Sequence, residues 1–310
     1  MKNTLLALMI LFSSVIFAQE KMFTTEEISI DPMLNGTLYK PNKFSKKTNL
    51  VILIPGSGIP DRNGNQPGAS NNSLKFLSEG LASKEIAVFS YDKRAIAQLK
   101  AGNKDEKEMN FDDAIADNKA IFDYFKAKKQ FNKIIFAGHS EGSLIGMIAS
   151  KNNADGFVSI AGAGRPIDEI LDEQVGKQAP FLKTEFRKYL DTLKSGKTFE
   201  LKNKMFSALL RESVQPYLIS WIKYNPQEEI QKLQIPVLVI NGTKDIQVPE
   251  TDAELLHKAY PKSELVIIEN MNHVLKEVKE DAENIKAYNN PDLPVMPELI
   301  EKIAAFAKKL

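Results

Sequence analysis

Short apolar runs alternate with helical patterns along most of this 310-residue chain. The apolar runs are five or six residues long, and most are followed by Gly, Asn or Asp, as expected for strands buried on both faces of a sheet. They comprise residues 50–54, 86–91, 133–137, 156–160, 236–240 and 265–269. Helical patterns occupy residues 73–84, 111–129, 143–150, 251–259 and 297–308. This alternation predicts an α/β fold with a doubly wound, mostly parallel sheet.

Two segments depart from the alternation. Residues 26–39 are predicted to add an antiparallel edge at the start of the sheet. Residues 165–230 are charged, contain no strand candidate, and show helical patterns at 167–175, 184–193, 199–211 and 214–224. Because ligands bind at the carboxyl ends of the strands in such sheets, we interpret 165–230 as an inserted helical cap over an active site. The alternative is a peripheral helical decoration that does not contact a substrate.

Residues 1–18 have the pattern of a secretory signal peptide. Lys2 provides a positively charged start, residues 5–12 form a short apolar stretch, and Ala18 is a small residue suited to the cleavage position. The mature chain would then comprise residues 19–310 in a secreted or periplasmic location, and a retained N-terminal anchor is the alternative. No later stretch approaches 18 consecutive apolar residues, so we expect no stable membrane insertion after signal removal.

The composition excludes several classes of function. The 41 basic side chains are balanced by 40 acidic ones, which provides no electrostatic footprint for nucleic acid. The absence of cysteine excludes disulfides, thiolate zinc sites, iron–sulfur clusters and cysteine nucleophiles. Three histidines leave little room for a multi-histidine metal cage. We therefore expect no nucleic-acid partner, no metal and no cofactor.

The strongest chemical signal is the pentapeptide 138–142, which reads Gly-His-Ser-Glu-Gly. It follows a predicted strand and precedes a helical pattern, which is the context of a nucleophile elbow. Such a turn is so tight that a Cβ atom at Gly138 or Gly142 would clash with neighbouring backbone, while Ser140 is held in a strained conformation that exposes its Oγ. We therefore predict Ser140 as the nucleophile.

With this elbow, the chain resembles the α/β-hydrolase superfamily. It is most similar to secreted bacterial carboxylesterases related to the serine aminopeptidase and dienelactone hydrolase-like groups. The resemblance covers nearly all of residues 19–310. Besides the elbow, it rests on residues 53–58 with 61–64, on residues 91–94, and on residues 241–245 with 271–273.

The superfamily orders its triad as serine, acid and histidine along the chain. Asp245 follows the predicted strand 236–240, where this fold places its acid, although a turn-forming or helix-capping role is the alternative. His273 follows the strand at 265–269, where the fold places its base. His139 adjoins the nucleophile and is expected to shape the turn, whereas His257 lies within a helical pattern and is expected at the surface. Asp252 is interpreted as an early-helix charge.

The developing oxyanion needs two preorganised donors. One is the backbone N–H of Glu141, the residue after the nucleophile. The resemblance implies Ser57 N–H as the other, with Gly58 as the next choice. The Glu141 carboxylate is expected to be held by local hydrogen bonds. Asp61 and Arg62 are expected to brace the neighbouring loop rather than bind substrate.

These features predict a serine hydrolase that acts on small or short-acyl carboxylic esters, with a small-molecule ester as its partner. They do not indicate an oligomeric state. An aminopeptidase is one alternative, for which Glu169, Asp172 and Glu173 would provide the acidic cluster that binds a substrate amine. A second is a hydrolase of carbon–carbon bonds or dienelactones, which often uses the cysteine that this chain lacks. A third is a non-catalytic binding protein on a hydrolase fold.

Overall fold

The computed structural model describes residues 22–102 and 105–310, so the predicted signal peptide at 1–18 lies outside the described residues. The described residues contain an eight-stranded sheet with the order β1-β2-β4-β3-β5-β6-β7-β8. β1 and β2 are antiparallel, β2 is antiparallel to β4, and the six strands from β3 to β8 are mutually parallel. The strands are β1 (Phe23–Asp31), β2 (Leu34–Pro41), β3 (Leu50–Ile54), β4 (Ala87–Tyr91), β5 (Ile134–His139), β6 (Gly156–Ile160), β7 (Val237–Gly242) and β8 (Glu264–Ile268).

Helices follow the parallel strands and cover both faces of the sheet. Those outside the insert are α1 (Ser73–Ser83), α2 (Arg94–Lys100), α3 (Phe111–Lys128), α4 (Glu141–Ser150), α10 (Glu250–Ala259), α11 (Asp281–Ala287) and α12 (Pro297–Lys309). Between β6 and β7 lie α5 (Ile167–Gln178), α6 (Lys183–Lys194), α7 (Ser207–Leu210), α8 (Gln215–Ile222) and α9 (Pro226–Gln231). No helix among the described residues is both long enough and apolar enough to cross a membrane.

The central strands are apolar along their whole length because they are covered on both faces. In β3, Leu50, Ile52 and Ile54 pack into the cluster on one face, which includes side chains of α3 and α4. Val51 and Leu53 point to the opposite face and pack with α1 and α12. The alternation follows from the two-residue repeat of a strand. It explains why these strands appear in the sequence as continuous apolar runs.

The α/β fold class with a mostly parallel sheet and a helical insert is confirmed. The predicted strands and helices lie within a few residues of the observed ones, and residues 26–39 fall in the β1–β2 hairpin. The predicted helix at 199–211 is wrong, since that segment contains only a 3₁₀ turn and the four-residue α7. Here the Gln215 side chain binds both backbone groups of Phe199: its Oε1 accepts from the N–H at 2.8 Å, and its Nε2 donates to the carbonyl at 3.0 Å, which a helix starting at Phe199 would use in its first turn. Such bonds compete with a helical ladder.

Candidate active site

The predicted elbow lies at the carboxyl end of β5 and the start of α4. Ser140 has φ 55° and ψ −119°, a conformation that non-glycine residues rarely adopt. A Cβ atom on Gly138 would lie 2.0 Å from the carbonyl oxygen of Gly142, and one on Gly142 would lie 2.5 Å from the carbonyl oxygen of Ile54. Both positions therefore require glycine, because the obstructing atoms belong to the backbone.

Ser140, His273 and Asp245 lie in a hydrogen-bonded chain across three loops at the same edge of the sheet. His273 Nδ1 is 2.7 Å from Asp245 Oδ2, and His273 Nε2 is 3.1 Å from Ser140 Oγ. When the ring proton is on Nδ1, it donates to the carboxylate and leaves Nε2 to accept the serine proton. The side chain of Asp245 is fully buried, and that of His273 is 5% exposed.

The second oxygen of Asp245 is also bound. Its Oδ1 accepts from the amides of Gln247 at 2.8 Å and Val248 at 2.9 Å. The turn after β7 therefore orients the carboxylate through backbone donors. The buried carboxylate has hydrogen-bond partners for both oxygens, which burial of a charged group requires.

The other two histidines occupy different environments. His139 Nε2 donates to the backbone carbonyl of His273 at 2.8 Å, so it holds the loop that carries His273. Burial, followed by the electrostatic effect of the neighbouring His273, lowers the pKa of His139 to about 4 and keeps its ring neutral. His257 lies on α10, where its Nδ1 is 2.9 Å from Ser263 Oγ.

The two predicted oxyanion donors, Ser57 and Glu141, both line the cavity beside Ser140. Glu141 is the first residue of α4, so its N–H has no acceptor within the helix. Ser57 lies on the loop after β3 and lines the same cavity as Ser140. That loop approaches closely, because a Cβ on Gly56 would lie 3.2 Å from Ser140 Cβ. Gly58 has a φ of +84°, the left-handed region that favours glycine.

The Glu141 side chain is held by partners from distant segments, so the prediction that local hydrogen bonds hold it is wrong. Its Oε1 accepts from Lys93 Nζ at 3.0 Å and from the Tyr217 hydroxyl at 2.7 Å. Lys93 Nζ also donates to the carbonyl of Gly56 at 3.0 Å. Sequence reasoning assigned no role to Tyr217, which lies in the insert and carries no local signal. Lys93 belongs to the segment 91–94 that contributes to the resemblance, but the sequence did not indicate these contacts.

Charged residues near the site mostly bind one another. Arg62 donates to Asp92 from its backbone N, Nε and Nη2, at 3.0, 3.2 and 2.9 Å, which agrees with the expected bracing role.

Asp252 lies in the first turn of α10 as predicted, but its side chain is also fully buried. Both of its oxygens accept from Arg165, at 3.1 and 2.6 Å. The interpretation of Asp252 as only an early-helix charge missed this contact between the insert and the sheet domain.

A cavity of about 870 Å³ opens beside Ser140. Its walls come from the loop after β3 and from the insert, with α5 and α8 providing apolar side chains. These are Ile167, Ile170, Leu171, Leu218 and Trp221. Of the aromatic residues in the insert, Phe181 is exposed and Phe206 is buried in the core cluster. Residues 22–102 and 105–310 contain no cluster of three or more His, Asp or Glu side chains arranged to bind a metal.

Comparisons with known proteins identify a family and a curated relative. A model of the BD-FAE family matches residues 37–260. Esterase EstD of Thermotoga maritima is 27% identical over 275 residues, an alignment that covers 84% of this chain and 62% of EstD. The chain thus spans less than two thirds of the length of that curated relative.

Two solved structures share the fold. Est1E from Butyrivibrio proteoclasticus, which has also been solved with ferulic acid bound, superimposes with a TM-score of 0.58 at 16% identity. The match covers 92% of this chain and 99% of Est1E. A dienelactone hydrolase from Anabaena variabilis has a TM-score of 0.52 at 14% identity, covering 93% of this chain and 98% of that enzyme.

Proposed function

The chain belongs to the BD-FAE family within the α/β-hydrolase superfamily, and on this basis we propose that it is a serine carboxylic-ester hydrolase acting on small or short-acyl esters. The observation that carries the proposal is the hydrogen-bonded chain from Ser140 through His273 to Asp245. It lies beside a strained elbow and opens into a cavity. Such an arrangement is the general signature of an activated nucleophile.

In the proposed mechanism, neutral His273 takes the hydroxyl proton as Ser140 Oγ attacks the ester carbonyl carbon. Asp245 orients the imidazole and stabilises the imidazolium that forms. The amides of Ser57 and Glu141 donate to the oxyanion. His273 then protonates the departing alcohol, which leaves an acyl group on Ser140. A water molecule, deprotonated by His273, attacks the acyl carbon, and His273 returns that proton to Ser140 Oγ as the carboxylic acid is released.

The insert at 165–230 is proposed to act as a cap that contributes to substrate selection, supported by the side chains of α5 and α8 in the cavity wall. We further propose that residues 1–18 direct export to a secreted or periplasmic location. Expression in a Gram-negative host should yield an exported product whose first residue is residue 19. An intact N-terminus on a membrane-bound product would contradict this proposal.

The aminopeptidase alternative requires acidic side chains at the substrate amine. On α5, Glu173 instead binds Arg165 and Lys177, both at 2.5 Å. The cavity receives Ile167, Ile170 and Leu171 from that helix. The helix face toward the cavity is therefore mainly apolar, which suits an uncharged ester better than a cationic amine.

The proposed reaction is tested by labelling with a fluorophosphonate probe and by a substrate panel. The panel comprises p-nitrophenyl acetate, butyrate and octanoate, methyl ferulate, and an aminoacyl-p-nitroanilide. We expect labelling and ester hydrolysis in the wild type. We expect the Ser140→Ala substitution to reduce turnover by roughly 10⁴-fold or more, because the nucleophile is absent.

Ser195→Ala is the matched control, because this exposed hydroxyl only donates to the carbonyl of Thr192. It should retain full activity. Hydrolysis of the anilide alone would replace the ester assignment with a peptidase. An unlabelled wild type without activity on any substrate would favour the non-catalytic alternative.

A further inference from the structure

Three neighbouring parallel strands end in residues that meet beside Ser140. Gly56, Lys93 and Glu141 each lie two positions beyond the last residue of β3, β4 and β5, respectively. The order β4-β3-β5 places these three positions side by side at one edge of the sheet. Lys93 Nζ donates to the carbonyl of Gly56 at 3.0 Å and to Glu141 Oε1 at 3.0 Å. One ammonium group therefore joins the loop after β3 to the elbow.

The bond to Gly56 determines where the N–H of Ser57 points. The two groups belong to the same peptide unit, which is planar and trans. In a trans peptide the C=O and N–H point in opposite directions. Because Lys93 holds the carbonyl of Gly56 on one side, the amide of Ser57 is directed to the other. The close approach of Gly56 to Ser140 Cβ places this peptide beside the nucleophile.

The bond to Glu141 acts on the second amide. The side chain of Glu141 is only 1% exposed, and the residue begins α4, where its own N–H is available. Lys93 neutralises this buried carboxylate and is itself 12% exposed. Tyr217 of α8 donates to the same oxygen, and burial together with Glu141 raises the pKa of Tyr217 well above its usual value. The tyrosine therefore remains a donor, and it connects the insert to the same group.

We propose that Lys93 is a positioning residue for the oxyanion, which holds the amides of Ser57 and Glu141 in place through the Gly56 carbonyl and the Glu141 carboxylate. This inference rests on the proposed ester hydrolysis. Preorganised donors stabilise a developing charge because they need not reorient during the reaction. Lys93 supplies that rigidity from a third strand, without touching the reacting atoms.

The test replaces Lys93 with methionine, which keeps the aliphatic chain and removes the ammonium. With p-nitrophenyl butyrate we expect kcat to fall by about 10- to 100-fold, less than for deleting an oxyanion donor outright, while KM changes by less than about twofold. Lys133→Met is the matched control, since Lys133 pairs with Asp155 at 3.1 Å away from this network. It should leave both constants unchanged.

A trifluoromethyl ketone provides a second readout, because its tetrahedral adduct with Ser140 carries the oxyanion. Its inhibition constant should weaken in proportion to the loss of kcat/KM across the lysine variants. Lys93→Arg should recover most of the activity, because a guanidinium can also donate to two acceptors. A merely structural role would lower thermal stability without this proportionality.

Removing the lysine leaves the buried Glu141 carboxylate without its cation, so the single variant risks misfolding. The double variant Lys93→Met/Glu141→Gln removes that charge, yet still lacks the donor to Gly56. We expect it to fold and to remain slow. Wild-type kcat in this folded variant would overturn the inference while leaving the ester hydrolase intact. A wild type inert toward every ester would overturn the proposed function, and the inference with it.

Discussion

The elbow and the helical insert are held in place by different kinds of contact. At the elbow, main-chain atoms pack against one another so closely that a single added carbon at Gly138 would lie 2.0 Å from a carbonyl oxygen. The insert is joined to the rest of the chain partly by long charged side chains. These include the pairs Arg165–Asp252, Arg211–Glu106 and Lys223–Asp112. The contrast teaches that the elbow tolerates almost no change in shape, whereas the insert tolerates changes according to how deeply each charge is buried.

The largest difference is expected when one glycine in each region is replaced by alanine. Gly138→Ala should destabilise the protein by about 3 kcal/mol or more and abolish ester hydrolysis, because the backbone of Gly142 cannot move away. Gly176→Ala in α5 places a Cβ 2.9 Å from Lys183 Cδ, at a flexible side chain. It should be neutral or stabilise by up to about 1 kcal/mol, since alanine favours a helix. Urea unfolding measures both, and a Gly138→Ala protein with wild-type stability would contradict the contrast.

A smaller effect is expected when two ion pairs of the insert are broken. In both pairs the arginine Nη2 lies 2.6 Å from a carboxylate oxygen. Arg165→Met leaves the fully buried Asp252 without its cation and should cost about 3 kcal/mol in the free energy of unfolding. Arg211→Met disrupts a pair whose side chains are 41% and 34% exposed, and should cost at most about 1 kcal/mol. Equal losses in urea unfolding would show that burial does not distinguish the two pairs.

The smallest effect concerns the pH dependence of stability at the elbow. His139 stays neutral in the folded protein down to a pKa of about 4, whereas an unfolded histidine titrates at its ordinary value of 6.5. The unfolded chain therefore binds more protons between these values, and stability is lost as the pH falls from 6.5 toward 4.

His139→Gln should remove this contribution, on the order of 1–2 kcal/mol between pH 7 and pH 5, while a glutamine amide can still donate to the carbonyl of His273. The measurement is urea unfolding of both proteins at pH 7 and pH 5. Because carboxylates titrate in both proteins, the difference between them isolates the histidine. Equal losses on acidification would contradict the assignment.

The sheet was largely predictable because its strands are covered on both faces and therefore read as uninterrupted apolar runs. The segment at 199–211 was not, since the distant Gln215 side chain binds the Phe199 carbonyl that the first turn of a helix there would use. Helix α2 was missed as well. Its first residue, Arg94, donates to Asp117 of α3, and a contact between two helices cannot be predicted from a local helical pattern.

The same distinction, between local sequence patterns and contacts of distant residues, applies to the candidate site. Ser140 was identified from a local pattern, because only glycines fit on either side of so tight a turn. The resemblance then pointed to Asp245 and His273 through their positions after strands. The contacts of Lys93 and Tyr217 with Glu141 carried no such signal, since these residues lie 48 and 76 positions away from it along the chain.

Short-range sterics and hydrophobic periodicity thus make the strands, the elbow and the order of the reactive residues readable along the chain. They act between residues within a few positions of one another. The contacts of Lys93 with Gly56 and Glu141 exist only because β3 pairs with both β4 and β5, which aligns three separate strand ends. The wall of the cavity is likewise assembled from the loop after β3 and the helices of the insert. Such contacts depend on distances through space, and these are established only when the chain has folded.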